Sequence, residues 1–154
     1  MSSLHSFELA AADSKLIHGD HSIGQDHQIL FITGFLSKRW GNKSKALSQW
    51  CQEKGWGFCC YDVRGFGDSE GSFTDYTLSD WIADARTVIT MLKGGPPLTI
   101  VGNSLGGWIA WLMAQEYPVV EKLVHHLERS AVIRGYARKP EANRHRFGFR
   151  PEYL

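Results

Sequence analysis

What the chain lacks narrows it first. No apolar run in its 154 residues approaches the roughly 20 needed to span a membrane as a helix, so no membrane partner is expected. Net charge is nearly absent: 17 Lys and Arg against 16 Asp and Glu leave +1. That gives no case for nucleic acid or an acidic membrane surface as a partner. Cysteine is limited to Cys51, Cys59 and Cys60, with no CxxC pair and no disulfide framework. The opening MSSLHSFELAAADSK has neither a basic n-region nor an apolar h-region, so no signal peptide is expected. These absences together suit a cytoplasmic protein. Internal repeats and low-complexity tracts are missing as well.

What is present is an ordinary globular composition, 43% hydrophobic and 21% charged, long enough for one domain with one core. Short apolar runs recur: Ile29 to Ile32, Phe58 to Tyr61, "LTIVG" from Leu98, and "VEKLV" from Val120. They are apolar throughout rather than alternating, as in strands buried on both faces of a parallel sheet. Between them lie helical patterns. Ala46, Leu47, Trp50 and Cys51 are spaced as a helix that Gly55 stops. Leu78, Trp81, Ile82, Ala85, Val88, Ile89 and Leu92 form one face of a second, with Thr77 and Asp80 in capping-box form and Gly94-Gly95 at its end. The rhythm predicts an α/β fold, a doubly wound, mostly parallel sheet with helices on both faces. "SFELAA" and "SKLIHG" read as an antiparallel lead-in pair. Cys59 and Cys60, adjacent in a strand, are expected on opposite faces as small buried hydrophobes.

The chemistry concentrates at "LTIVGNSLGGWIAW". Gly102-Asn103-Ser104-Leu105-Gly106 fits G-x-S-x-G, with a strand before it and a helix immediately after. A serine at that sharp turn sits in strained backbone with neighbours packed closely, so Gly102 and Gly106 keep bulk away. The helix N-terminus favours a developing negative charge, which makes the Leu105 N–H an oxyanion donor. A second donor is expected from the loop after the first buried strand, where Gly34 permits a turn and the Phe35 N–H points to the same oxygen. Ordinary capping by Ser104 is the competing reading, but capping alone does not need glycines on both sides. Trp108 and Trp111 on the following helix are expected to pack against the sheet, with the lining of an acyl pocket as the alternative.

Four pieces, "FITGFLS", "YDVRGFGDSEG", "TLSDWIADARTVITML" and "IVGNSLGGW", resemble the α/β-hydrolase superfamily of serine esterase and acyl-thioesterase type, over about Phe7 to Val124. "GFLS" with "GNSLGGW" is similar to small acyl-ester hydrolases that include acyl-protein thioesterases and acyl-glucuronide esterases. The resemblance implies Ser104 as nucleophile and Phe35 and Leu105 as backbone oxyanion donors. It implies a small-molecule ester or thioester substrate, with no metal and no cofactor. Thr33 stands where many relatives have histidine. Asp62, Arg64, Gly65, Gly67, Asp68 and Ser69 match a D-x-R-G-x-G-x-S stretch, read as glycine turns and buried ion pairs that shape the loop. The same fold also hosts C–C hydrolases and perhydrolases.

The remaining triad members are harder to find. Serine needs a histidine base, and the base a carboxylate to hold it; the fold orders them Ser, acid, His. No aspartate follows Ser104; only Glu116, Glu121, Glu128, Glu141 and Glu152 remain, with His125, His126 and His145. His145, after Glu128 or Glu141, alone keeps the order and is the candidate base. Composition changes at Val124: residues 125–154 are rich in Arg and His and match no nucleic-acid recognition spacing. Residues 1–124 therefore read as the N-terminal part of a hydrolase domain and 125–154 as an atypical basic tail, partly helical or disordered. The fourth apolar strand is expected to be a bare sheet edge. A truncated or frameshifted gene is one expectation, and with it a non-catalytic remnant or binding protein as the alternative function.

Overall fold

The computed structural model describes residues 3–117, 120–127 and 131–136. The lead-in pair forms as predicted: β1 (His5–Ala10) and β2 (Leu16–Ser22) run antiparallel, with Phe7 opposite Gly19. The apolar runs become β3 (Gln28–Ile32), β4 (Gly57–Tyr61) and β5 (Leu98–Asn103), mutually parallel through β3. Between them lie helices α1 (Asn42–Lys54) and α2 (Leu78–Leu92), and α3 (Leu105–Glu116) follows β5 directly. Gly55 ends α1 at φ +69°, a left-handed residue that glycine adopts without a Cβ clash. At the start of α2, Asp80 accepts hydrogen bonds from the Thr77 N–H (2.7 Å) and hydroxyl (2.8 Å).

Strands β6 (Val120–Leu127) and β7 (Ala131–Tyr136) complete one sheet in the order β1-β2-β4-β3-β5-β6-β7. Two expectations change here. The sheet continues past Val124, because β6 stays paired with β5 as far as Asn103 opposite His126. The fourth apolar strand is not a bare edge, because β7 pairs with it antiparallel from Lys122–Tyr136 to Leu127–Ala131. The β-branched Val132 and Ile133 in β7 suit a strand. The proposed tail from residue 137 lies outside the described residues.

The sheet carries helices on both faces. Cys51 of α1 packs with Ile29, Phe31, Phe58 and Cys60, flanked by Leu47, Trp40 and Trp56. Trp81, Ala85, Val88 and Ile89 of α2 and Ile109, Ala110 and Met113 of α3 pack with Leu30, Ile32, Cys59, Tyr61 and Ile100 on the other face. Adjacent Cys59 and Cys60 thus serve opposite faces, as the strand period requires, and all three thiols are buried and free. The alternation of clusters shows why the runs had to be apolar at every position.

Trp108 and Trp111 contradict their expected packing: they remain 42% and 47% exposed. Positions 109, 110 and 113 hold the face of α3 that meets the sheet, which turns positions 108 and 111 away from it. In α1, Leu47 and Cys51 pack inward, while Ala46 is exposed and Trp50 meets Trp56 edge-on at 5.0 Å between ring centroids.

Candidate active site

The chain order changes direction between β3 and β5. After β3 the chain moves one way to form β4, then returns past β3 to form β5. Such a switch point opens a crevice beyond the carboxyl ends of the strands. Ile32 is paired with Gly102, so the loops leaving β3 and β5 emerge side by side.

At the end of β5, Ser104 takes φ +53° and ψ −121°. A non-glycine residue held there costs on the order of 1–3 kcal/mol, which the surroundings must enforce. They do so by crowding. A Cβ on Gly102 would lie 2.4 Å from the Gly106 carbonyl oxygen and from Gly107 Cα. One on Gly106 would lie 2.2 Å from the Thr33 carbonyl oxygen and 2.3 Å from that of Ile32. The start of α3 therefore wedges between β5 and β3, and the serine stands at the wedge. The Ser104 carbonyl accepts from the Gly107 N–H (2.9 Å) and the Trp108 N–H (3.3 Å), while its side chain makes no capping bond to α3.

The loop from β3 closes on the same point. A Cβ on Gly34 would lie 3.2 Å from both Asn103 Nδ2 and the Asn103 carbonyl oxygen, and 3.3 Å from Ser104 Cβ. The Ser37 N–H donates to the Gly34 carbonyl (3.2 Å), closing a turn in which Leu36 sits at φ +58°. The Leu105 N–H belongs to the first turn of α3, where intrahelical acceptors do not exist. The loop after β3 and the first turn of α3 thus both border Ser104. A donor aimed at a tetrahedral oxyanion contributes about 3 kcal/mol to its stabilisation.

Beside them lies a shallow apolar groove, walled by Thr33 to Ser37, Val63, Phe66, Trp81, Leu105 and Ile109. Its rim is aromatic. Phe35 lies 5.7 Å from Phe73 and 5.9 Å from Trp81 between centroids, and Phe73 stacks on Trp81 at 5.7 Å. Phe35 is half exposed. Trp81 is fixed by donating its indole N–H to the Arg64 carbonyl at 3.0 Å. Trp108 and Trp111 are not among the walls of this groove. The alternation of helix periodicity placed Trp81 in a core face and gave no sign that its edge also lines a site.

Buried charge holds the loops in place. Arg39 donates to Asp20 (2.6 Å), to Asp68 (2.7 Å) and to Asp62, and its backbone N–H also donates to Asp62 Oδ1 at 2.6 Å. Burial opposes the Asp20 carboxylate, but hydrogen bonds from Arg39, Ser6 and Trp40 outweigh it and hold its pKa below the usual range. Arg64 pairs with Asp84 (2.6 Å) and Asp13 (3.1 Å). Burial pushes the Asp84 pKa upward, against the pull of Arg64. Ser69 Oγ donates to the Asp62 carbonyl at 2.6 Å, and a Cβ on Gly67 would strike the Asp62 carboxylate at 2.2 Å. The D-x-R-G-x-G-x-S stretch is thus a scaffold of ion pairs and turns. Sequence reasoning missed Arg39, Asp20 and Trp40, since nothing local marks side chains that meet only in space. It also missed Lys43, whose ammonium donates to Asn103 Oδ1 at 3.0 Å.

The structure brings Ser104, Leu105, Gly34, Phe35, Gly102 and Gly106 together. His145 lies outside the described residues. The backbone at His125 and His126 pairs with Gly102 and Asn103, at the same carboxyl edge of the sheet.

Residues 28–127 match the family described as alpha/beta hydrolase fold. The chain belongs to that family. This alpha/beta-hydrolase chain is 34% identical over 95 residues to the bovine mitochondrial palmitoyl-protein thioesterase ABHD10, covering 62% of this chain and 31% of that protein. The human counterpart is 37% identical over 86 residues, covering 56% and 28%. The solved structure of mouse alpha/beta hydrolase domain-containing protein 10 superposes with a TM-score of 0.71 at 29% identity, covering 79% of this chain and 48% of that one. The hydrolase chain thus spans about half the length of its solved relative and less of the curated ones. The mitochondrial designation of these relatives overturns the cytoplasmic expectation. Reduced thiols and a balanced charge suit any reducing compartment, so composition could not distinguish them. No helix among the described residues is long and apolar enough to cross a membrane.

Proposed function

We propose that this chain supplies the nucleophile and oxyanion site of a mitochondrial serine hydrolase that cleaves carboxylic esters or thioesters. The observation that carries this reading is Ser104 itself, a non-glycine residue at φ +53° between a buried strand and a helix N-terminus. A strained conformation persists only where the surroundings over-determine it, and such positions cluster at functional sites. In the proposed step, Ser104 Oγ attacks the acyl carbonyl carbon. Its proton passes to a general base, for which His145 is the candidate. The oxyanion takes hydrogen bonds from the Phe35 and Leu105 N–H groups. Collapse breaks the C–O or C–S bond, the alcohol or thiol leaves with that proton, and water then releases the acid from Ser104. The acyl group occupies the groove beside Phe35, Phe66 and Trp81, whose apolar walls suit a hydrocarbon chain. The relatives named palmitoyl-protein thioesterase support a thioester of that kind.

A fluorophosphonate probe tests the reading on the full chain. Wild type is expected to be labelled at Ser104, and Ser104→Ala not at all. Folded protein that takes no label would refute it and leave a non-catalytic binding protein. Acyl release from matched p-nitrophenyl ester and thioester substrates separates ester from thioester preference.

A further inference from the structure

We propose that Phe73 is a positioning residue: it braces the Phe35 ring so that the Phe35 N–H stays aimed at the oxyanion formed on Ser104. The inference rests on the nucleophile reading above and extends it to a side chain outside the walls of the groove. Phe73 opens a 3-10 helix, Phe73–Asp75, in the loop between β4 and α2. Its ring centroid lies 5.7 Å from that of Phe35, 5.0 Å from that of Phe66, which it meets edge-on, and 5.7 Å from that of Trp81, on which it stacks. Aromatic pairs at such spacings attract beyond simple burial. Trp81 is immobilised by its place in the core face of α2 and by its bond to the Arg64 carbonyl. The rings thus carry that rigidity outward, from α2 through Phe73 to the crest of the loop after β3.

Core packing does not account for Phe73. It is exposed, belongs to neither core cluster and is not among the walls of the groove. Yet its backbone is held closely. Gly65 takes φ +83°, and a Cβ there would lie 2.9 Å from both the nitrogen and the Cα of Phe73. Further along, the Tyr76 hydroxyl donates to Asp13 Oδ2 at 2.9 Å, and the Arg64 guanidinium lies 4.8 Å from the centre of the Tyr76 ring. The chain is therefore fastened around Phe73. The loop after β3 is the opposite case. Gly34 precedes Phe35, Leu36 is strained at φ +58° and largely exposed, and the backbone closes the turn through the Ser37 N–H at 3.2 Å. The Phe35 ring is the large side chain that ties this turn to the domain. A shift of the Phe35 backbone would carry the ring off Phe73 and Trp81, so the stacked rings resist it. A displacement of about 1 Å at a reacting centre can cost about a hundredfold in rate, which gives the brace its consequence.

The test measures second-order phosphonylation of Ser104 in the full chain by two 4-nitrophenyl alkylphosphonates with chains no longer than ethyl. One carries P=O and the other P=S, each normalised to its rate with hydroxide. Ser104 Oγ bonds to phosphorus, 4-nitrophenolate leaves, and the oxygen or sulfur takes the oxyanion's place. Sulfur accepts hydrogen bonds weakly, so the ratio of the two rates reads the aim of the donors and not the general integrity of the fold. Wild type is expected to favour P=O. Losing one donor outright costs about 10²–10³, so misaiming it in Phe73→Ala should slow the P=O probe about tenfold and the P=S probe much less. Phe73→Tyr keeps the ring and restores the ratio. In a Phe35→Ala background, Phe73→Ala should change the ratio no further. If Phe73→Ala does not fold, Phe73→Leu is read in its place, with a smaller fall in the same direction. Equal normalised rates in wild type would overturn the proposal while leaving the nucleophile intact. So would a folded variant that slows both probes by one factor or neither, or an effect undiminished in the Phe35→Ala background. If neither probe labels folded wild type, the nucleophile reading fails and this one with it.

Discussion

Replacing Arg39 with Met isolates what the buried charge cluster contributes. The guanidinium is 13% exposed, Asp20 is 8% and Asp62 is 1%, so none of these charges is adequately served by water once the arginine is gone. Truncating one partner of a buried pair costs about 3–5 kcal/mol, because a charge is left in a low-dielectric site. For a chain of this size, each kcal/mol corresponds to about 2–4 °C in Tm, so the melting temperature should fall by about 6–20 °C. Asp62 loses its side-chain partner while still accepting from the Arg39 and Asp68 backbone N–H groups, which favours the lower half of that range. The control is Arg86→Ala. Arg86 makes two 2.8 Å bonds to Glu116 but is 46% exposed, so its loss should cost under about 1 kcal/mol despite the better fork. Urea titration monitored by tryptophan fluorescence reads both variants. The Arg39 segment also anchors the far end of the loop that carries Phe35, so phosphonylation of Ser104 should slow in the same variant. If Arg39→Met and Arg86→Ala cost the same, burial is not what gives this cluster its weight, and the reasoning fails.

Three further outcomes are expected. Gly106→Ala places a Cβ against the Ile32 and Thr33 carbonyl oxygens and should cost about 1–3 kcal/mol, with slower labelling of Ser104 as α3 is pushed off β3; unchanged melting and labelling would contradict the wedge. Asp20 has a folded-state pKa below its unfolded value near 3.8, so its share of stability is present above about pH 4 and is lost as pH falls through the folded value. Chemical denaturation from pH 6 to pH 2 should show a shallower acid limb for Asp20→Asn than for wild type, and identical limbs would refute the assignment. Burial pushes the Cys51 thiol up to about 12 and raises Cys59 and Cys60 as well, so Ellman's reagent at pH 8 should react with the three thiols only as fast as the protein unfolds. Fast reaction of any of them in native protein would show that the two clusters flanking the sheet are open.

By itself the sequence determined the elements up to β6 and the strained turn at Ser104. Continuous apolar runs mark strands covered on both faces, Gly55 and Gly94 mark helix ends, and serine between Gly102 and Gly106 marks a strained turn, because each depends on neighbours a few residues apart. Local pattern also carried Gly34 and Phe35, since the loop after a buried strand has a set place in an α/β sheet. It failed where chains meet in space. Helical spacing alone assigned Trp108 and Trp111 to the interior, yet the orientation of α3 is set by Ile109, Ala110 and Met113 against β5 and leaves both rings outside. Tertiary structure decided that Trp81, a core residue by periodicity, also walls the groove. It decided too that Arg39 gathers carboxylates from β2 and the loop after β4, and that Lys43 reaches the residue before Ser104 across 60 positions of chain. Local rules fix what each segment becomes; only packing the helices on the two faces of one sheet fixes which side chains share the serine's surroundings.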